Sequence, residues 1–82
     1  MQAMTDILRT PSDLAALLKS QRQSAGLSKT ALAQRAGKVR EVIYRLEAGE
    51  DVTVSSLMAV LTALGLVLRA ERAGLPSPQE MA

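Results

Sequence analysis

The chain contains no cysteine, histidine, tryptophan or phenylalanine, and its one aromatic residue is Tyr44. Without cysteine there is no disulfide framework and no thiolate chemistry. With histidine missing as well, Cys/His zinc and haem sites are excluded, and so is imidazole acid–base catalysis. The shortage of aromatics leaves Leu, Val, Ile, Ala and Met to build the core, and each buries less area than a ring would. The 82 residues suffice for one small domain. That is near the lower size for independent folding, so a second copy would add stability.

Long apolar runs are also missing. The longest stretches are broken by Lys19, Thr62 or Arg69, so no membrane span is expected. The start, Met1-Gln2-Ala3-Met4-Thr5-Asp6, lacks a basic segment followed by an apolar one, so no signal peptide is expected and the protein reads as cytoplasmic. No nucleophile–base pair, phosphate loop or metal-ligand cluster is recognisable, so no enzyme activity, metal or cofactor is expected.

The charge that is present is unevenly placed. The chain carries a net +2. Residues 19–45 hold Lys19, Arg22, Lys29, Arg35, Lys38, Arg40 and Arg45 against Glu41 alone, a local +6. Residues 46–82 sum to −3. A basic segment inside a nearly neutral chain is the electrostatic footprint of nucleic-acid binding, although a solvated basic surface would look the same.

That basic segment has a clear local grammar. Thr10-Pro11-Ser12-Asp13 is a helix start: a hydroxyl cap, a proline at the first helical position and an acid in the first turn. Leu14, Leu17, Leu18 and Ala25 form its apolar stripe, and Gly26 ends it. Ser28 caps a second helix over about 29–36, with Leu32, Ala33 and Ala36 facing inward and Gly37 closing it. A third helix over about 39–48 buries Val42, Ile43 and Leu46 and stops at Gly49. Thr53 caps a fourth over about 54–64, with Leu57, Val60, Leu61 and Leu64 at helical spacing.

After Gly65 the period changes to two, with Leu66, Leu68 and Ala70 alternating with Val67, Arg69 and Glu71. This predicts a strand over 65–73 whose partner is the same strand of a second copy or the N-terminal arm of that neighbouring chain; continuation of the fourth helix, or an extended tail, is the alternative. Residues 1–9 read as an arm, 10–64 as the helical domain and 74–82 as a flexible tail.

Two short helices joined by a tight turn, the second amphipathic and basic, describe a helix-turn-helix unit, whose second helix enters the DNA major groove. At Leu32-Ala33, Ala36-Gly37, Ile43 and Leu46-Glu47-x-Gly49, with Arg22 in register, the sequence resembles the phage-repressor and Cro family, the XRE type. Thr10-Pro11 and the alternating Leu64-to-Arg69 segment resemble HipB-like antitoxins within it. The resemblance implies a mainly α, four-helix, lambda-repressor-like domain with a C-terminal β-strand pairing across a homodimer. It further implies a repressor of its own operon that neutralises a HipA-type kinase toxin. The chain departs from the family at three places. Lys29 stands where glutamine is usual, Lys38-Val39 where an apolar residue and Ser or Thr are usual, and Glu50-Asp51 where the loop is often basic.

With the third helix in the groove, spacing turns Val39, Arg40, Glu41, Tyr44 and Arg45 outward as the base-reading set. Arg40 and Arg45 suit guanine O6 and N7, Glu41 a cytosine amino group, and Val39 a thymine methyl. Tyr44 suits a phosphate or the sugar edge. Glu41 could instead pair with Arg45, four residues on. Lys29, at a helix N-terminus, Lys38 and Lys19 are the phosphate candidates. The resemblance assigns Arg22 and Glu47 to a structural ion pair. Leu66, Val67, Leu68, Arg69 and Ala70 are the dimerisation residues. The expected partners are a palindromic double-stranded operator, a second copy and a HipA-like kinase toxin. A free-standing regulator without a toxin, or a helical protein-interaction module that binds no DNA, are the alternatives.

Overall fold

A computed structural model describes residues 7–72. Most of the expected arm, residue 73 of the expected strand and the whole of the expected tail lie outside the described residues. Four helices follow in order: α1 (Pro11–Ser24), α2 (Lys29–Ala36), α3 (Arg40–Glu47) and α4 (Val54–Ala63).

Three of the four starts are hydroxyl caps. Thr10 Oγ1 accepts from the Asp13 N–H at 3.1 Å, and Asp13 Oδ2 accepts in return from the Thr10 N–H at 3.1 Å and the Arg9 N–H at 2.9 Å. Ser28 Oγ accepts from the Ala31 N–H at 3.0 Å, and Thr53 Oγ1 from the Ser56 N–H at 3.1 Å. Each bond satisfies an N–H that the helix itself leaves without a partner. The exception is α3. Val39 takes the cap position in extended conformation and makes no side-chain bond, because it has no acceptor to offer. The helix therefore begins at Arg40 rather than Val39.

All four helices end alike. The N–H of Leu27, Lys38, Glu50 and Leu66 bonds the carbonyl five residues back, on Arg22, Ala33, Arg45 and Leu61 respectively, at 2.8–3.1 Å. A glycine precedes each donor. Gly37, with φ of 67°, holds the left-handed conformation this stop requires. The apolar contact that accompanies such a stop is present at Leu27 and Leu66, which pack against the core. At the end of α2 its place is taken by Lys38, which is half-buried.

The core is Leu18, Leu32, Ala33, Ile43, Leu46, Val60 and Leu61. α3 packs on α1 and α2, and α2 packs on α4. Ala25 does not join the buried stripe. It caps α1 and is exposed, because α1 stops at Ser24 and the chain turns away; Ala15, one turn before Leu18, is buried instead. α4 ends at Ala63, so the fourth helix does not continue into the next segment. Leu66–Arg72 shows neither helix nor strand pairing with the other described residues. Leu66 packs on the core, while Val67 and Leu68 are exposed. Among the described residues, no helix is long and apolar enough to cross a membrane.

Candidate nucleic-acid interface

Burial of Ile43 and Leu46 against α1 and α2 fixes the rotation of α3. The opposite face then carries Val39, Arg40, Glu41, Tyr44 and Arg45, all exposed. Val39 leads this face and is 70% exposed. These are the five residues that helical spacing turned outward.

The N-terminus of α2 opens beside this face. Lys29 Nζ lies 4.1 Å from the centre of the Tyr44 ring, and the Arg40 guanidinium carbon lies 4.8 Å from the same centre. The Arg40 Nη2 also donates to the Tyr44 hydroxyl. Two cations from different helices thus meet on one ring. The electron-rich ring attracts each of them. Sequence reading placed Lys29 and Tyr44 on separate helices and missed their contact. The four-residue spacing of Arg40 and Tyr44 was a usable signal for the other half.

Arg45 is held differently. Its Nε donates to the Asp51 carbonyl oxygen at 3.2 Å, and its Nη1 lies 3.8 Å from Glu41 Oε1. The Glu41–Arg45 alternative is therefore realised, as an open surface pair of modest strength. The Asp51 contact ties the end of α3 to the acidic loop through a backbone oxygen, which no side-chain pattern reveals. The remaining phosphate candidates sit on other elements. Lys38 is half-buried in the turn between α2 and α3, and Lys19 is exposed on α1.

Behind the face, Arg22 and Glu47 form the expected pair. Arg22 Nε donates to Glu47 Oε2 at 2.6 Å and Nη2 to Oε1 at 3.0 Å, while Nη1 donates to the Leu27 carbonyl at 2.9 Å. One guanidinium therefore joins α1, the α1–α2 turn and the last residue of α3. Glu47 holds the Arg22 group above its ordinary pKa, against the opposing effect of burial.

Comparison with known proteins agrees with the fold. The helix-turn-helix domain family matches residues 13–75. No curated protein matches. Among solved structures, HipB in a complex with an O4 20mer superposes with a TM-score of 0.78 at 24% identity, covering 84% of this chain and 99% of that one. A HipA–HipB–O2–O3 complex gives 0.77 at 23% identity, with 84% and 99% coverage. A transcriptional regulator from Vibrio cholerae gives 0.63 at 33% identity, covering 70% of this chain and 33% of its own. At such identities the HipB likeness is one of fold.

Proposed function

This chain belongs to the helix-turn-helix domain family, and we propose that it is a sequence-specific DNA-binding repressor, working as a homodimer and as the autoregulatory antitoxin of a HipA-like kinase toxin. The observation that carries the DNA reading is the exposed face of α3. Two arginines stand on it, and Lys29 at the start of α2 stands beside it. Arg40 and Arg45 are assigned to guanine edges, Glu41 to a cytosine amino group and Val39 to a thymine methyl. Tyr44 borders the backbone. Lys29, Lys38 and Lys19 are assigned to phosphates, which set register and affinity but not sequence. Work on DNA would place the protein in the cytoplasm.

The antitoxin reading is supported by the likeness to HipB, including HipB in a complex with HipA. A second reading, a free-standing regulator, is supported by the likeness to the Vibrio cholerae transcriptional regulator. Copurification with a kinase-like protein from the neighbouring reading frame separates the two.

Fluorescence anisotropy tests the shared core of both. The duplex upstream of this coding sequence is compared with a scrambled duplex at about 150 mM salt, near the physiological ionic strength at which specific binding has meaning. Specific binding that Arg40→Ala weakens by about ten-fold or more supports base reading. Equal, weak, salt-sensitive binding to both duplexes rejects it.

A further inference from the structure

We infer that Tyr44 is a positioning residue, which sets the aim of Arg40 from α3 and Lys29 from α2 by holding both cations on one ring. The inference rests on the DNA reading above and deepens it. Lys29 Nζ is 4.1 Å and the Arg40 guanidinium carbon 4.8 Å from the ring centre, and Arg40 also donates to the Tyr44 hydroxyl. Free in solvent, long cationic side chains sample many rotamers, and they lose that freedom when they bind. Here the loss is taken before DNA arrives. Both cations rest against the same ring, so the ring decides where they stand.

The arrangement also accounts for a departure in the sequence. Lysine at position 29 brings a full charge to the first turn of α2, close to the first residue of α3. A tyrosine one turn into α3 supplies the surface on which that charge and Arg40 can coexist. Ser28 fixes the start of α2 through its bond to the Ala31 N–H, so the Lys29 backbone is itself well placed. The ring therefore couples a residue assigned to a phosphate with one assigned to a base edge.

Tyr44 is the chain's single aromatic ring, and there is no histidine. Any ring-current shift on a side-chain proton must then come from Tyr44. The first arm of the test is NMR of the free protein. Upfield-shifted side-chain protons of Lys29 and Arg40 that return to ordinary positions in Tyr44→Leu are expected; protons already at ordinary positions overturn the stack without any appeal to DNA. The second arm uses the duplex that the wild type selects from a random-sequence pool. Tyr44→Leu is expected to lose about ten-fold in preference for that duplex over a scrambled one, a loss equal to a bidentate base contact of about 1.4 kcal/mol. Tyr44→Phe keeps the ring and is expected to retain more of the preference. In an Arg40→Ala background, Tyr44→Leu should cost little more. An equal cost in both backgrounds overturns positioning and makes Tyr44 an independent contact. Tyr44 is exposed, and an unchanged thermal midpoint in each variant excludes unfolding as the cause. A wild type that selects no sequence overturns the DNA reading and the role of the stack with it, while the NMR arm still reports whether the stack exists.

Discussion

Arg22 and Glu47, twenty-five residues apart, meet in a two-bond fork with side chains only 10% and 5% exposed. The fork has a third arm to the Leu27 carbonyl, so the guanidinium satisfies the turn after α1 as well as the carboxylate at the end of α3. Its place behind α3 makes it a strut for the exposed face rather than part of that face.

Removing one partner leaves a charge in a place that water barely reaches. Glu47→Ala should cost about 3 kcal/mol of stability, while Glu50→Ala, at an exposed loop position, should stay within about 0.5 kcal/mol. Urea denaturation of the two variants checks this, and equal midpoints would reject the strut. Arg22→Lys should not restore the wild-type value, because an ammonium cannot reproduce the fork and the carbonyl bond together.

The cap of α1 predicts a pH dependence. The Arg9 backbone N–H, with the Thr10 side chain and backbone, holds the Asp13 carboxyl below its ordinary value. A depressed folded-state pKa stabilises the fold above the unfolded value of about 4, and that stabilisation is lost as pH falls through the folded value. The gap in thermal midpoint between wild type and Asp13→Ala should therefore narrow as pH is lowered from about 5 towards 2. A constant gap would mean that the carboxylate charge has no part in the cap. Thr10→Ala should cost about 1 kcal/mol at neutral pH.

What could be read from the sequence follows from what each signal depends on. Thr10, Ser28 and Thr53 were legible as caps because a hydroxyl followed by a helical stripe is a local pattern. Val39 was legible as a departure from the usual Ser or Thr, which left the cap of α3 open, but not as a residue outside the helix. Ala25 misled because alanine fits either a buried or an exposed position, and only the end of α1 at Ser24 decides which. The outward face of α3 followed from Ile43 and Leu46. The meeting of Lys29 with Tyr44, and of Arg45 with the Asp51 carbonyl, required the packing of separate elements and a backbone acceptor, neither of which has a sequence period.

Gly37 isolates a pure backbone cost. Its φ is 67°, and a Cβ there would meet nothing within 4 Å. Gly37→Ala should then destabilise by about 1 kcal/mol through the left-handed conformation alone, and Gly37→Asn by less. A loss well above this in urea unfolding would reveal a clash that the open surroundings do not suggest.

Salt dependence separates the two kinds of cation proposed for the exposed face of α3 and the start of α2. If Lys29 meets a phosphate, Lys29→Gln should reduce the slope of log K against log salt by about 0.9 and weaken all duplexes similarly. Arg40→Ala should chiefly reduce discrimination between duplexes. A titration series from about 50 to 200 mM salt distinguishes these outcomes. Loss of discrimination in Lys29→Gln with an unchanged slope would reverse the two assignments.

The segment after α4 divides its side chains between the core of its own chain and solvent. The Leu66 N–H closes α4 on the Leu61 carbonyl at 2.8 Å, and its side chain packs on the core. Val67 is 83% and Leu68 51% exposed. Backbone outside any helix with open apolar side chains suits pairing with a second copy, which would bring two α3 helices about one DNA turn, roughly 34 Å, apart. Sedimentation at about 10 µM, where a dimer strong enough to support nanomolar DNA binding should persist, is expected to show a dimer. Leu68→Pro removes one backbone donor and should shift the protein to monomer with little change in its helical signal. Leu66→Ala should instead lower stability, because its side chain belongs to the core of its own chain. A wild-type monomer at that concentration would remove the strand from the dimer and leave each helix-turn-helix unit to bind alone, without the gain in effective concentration that a second linked unit provides.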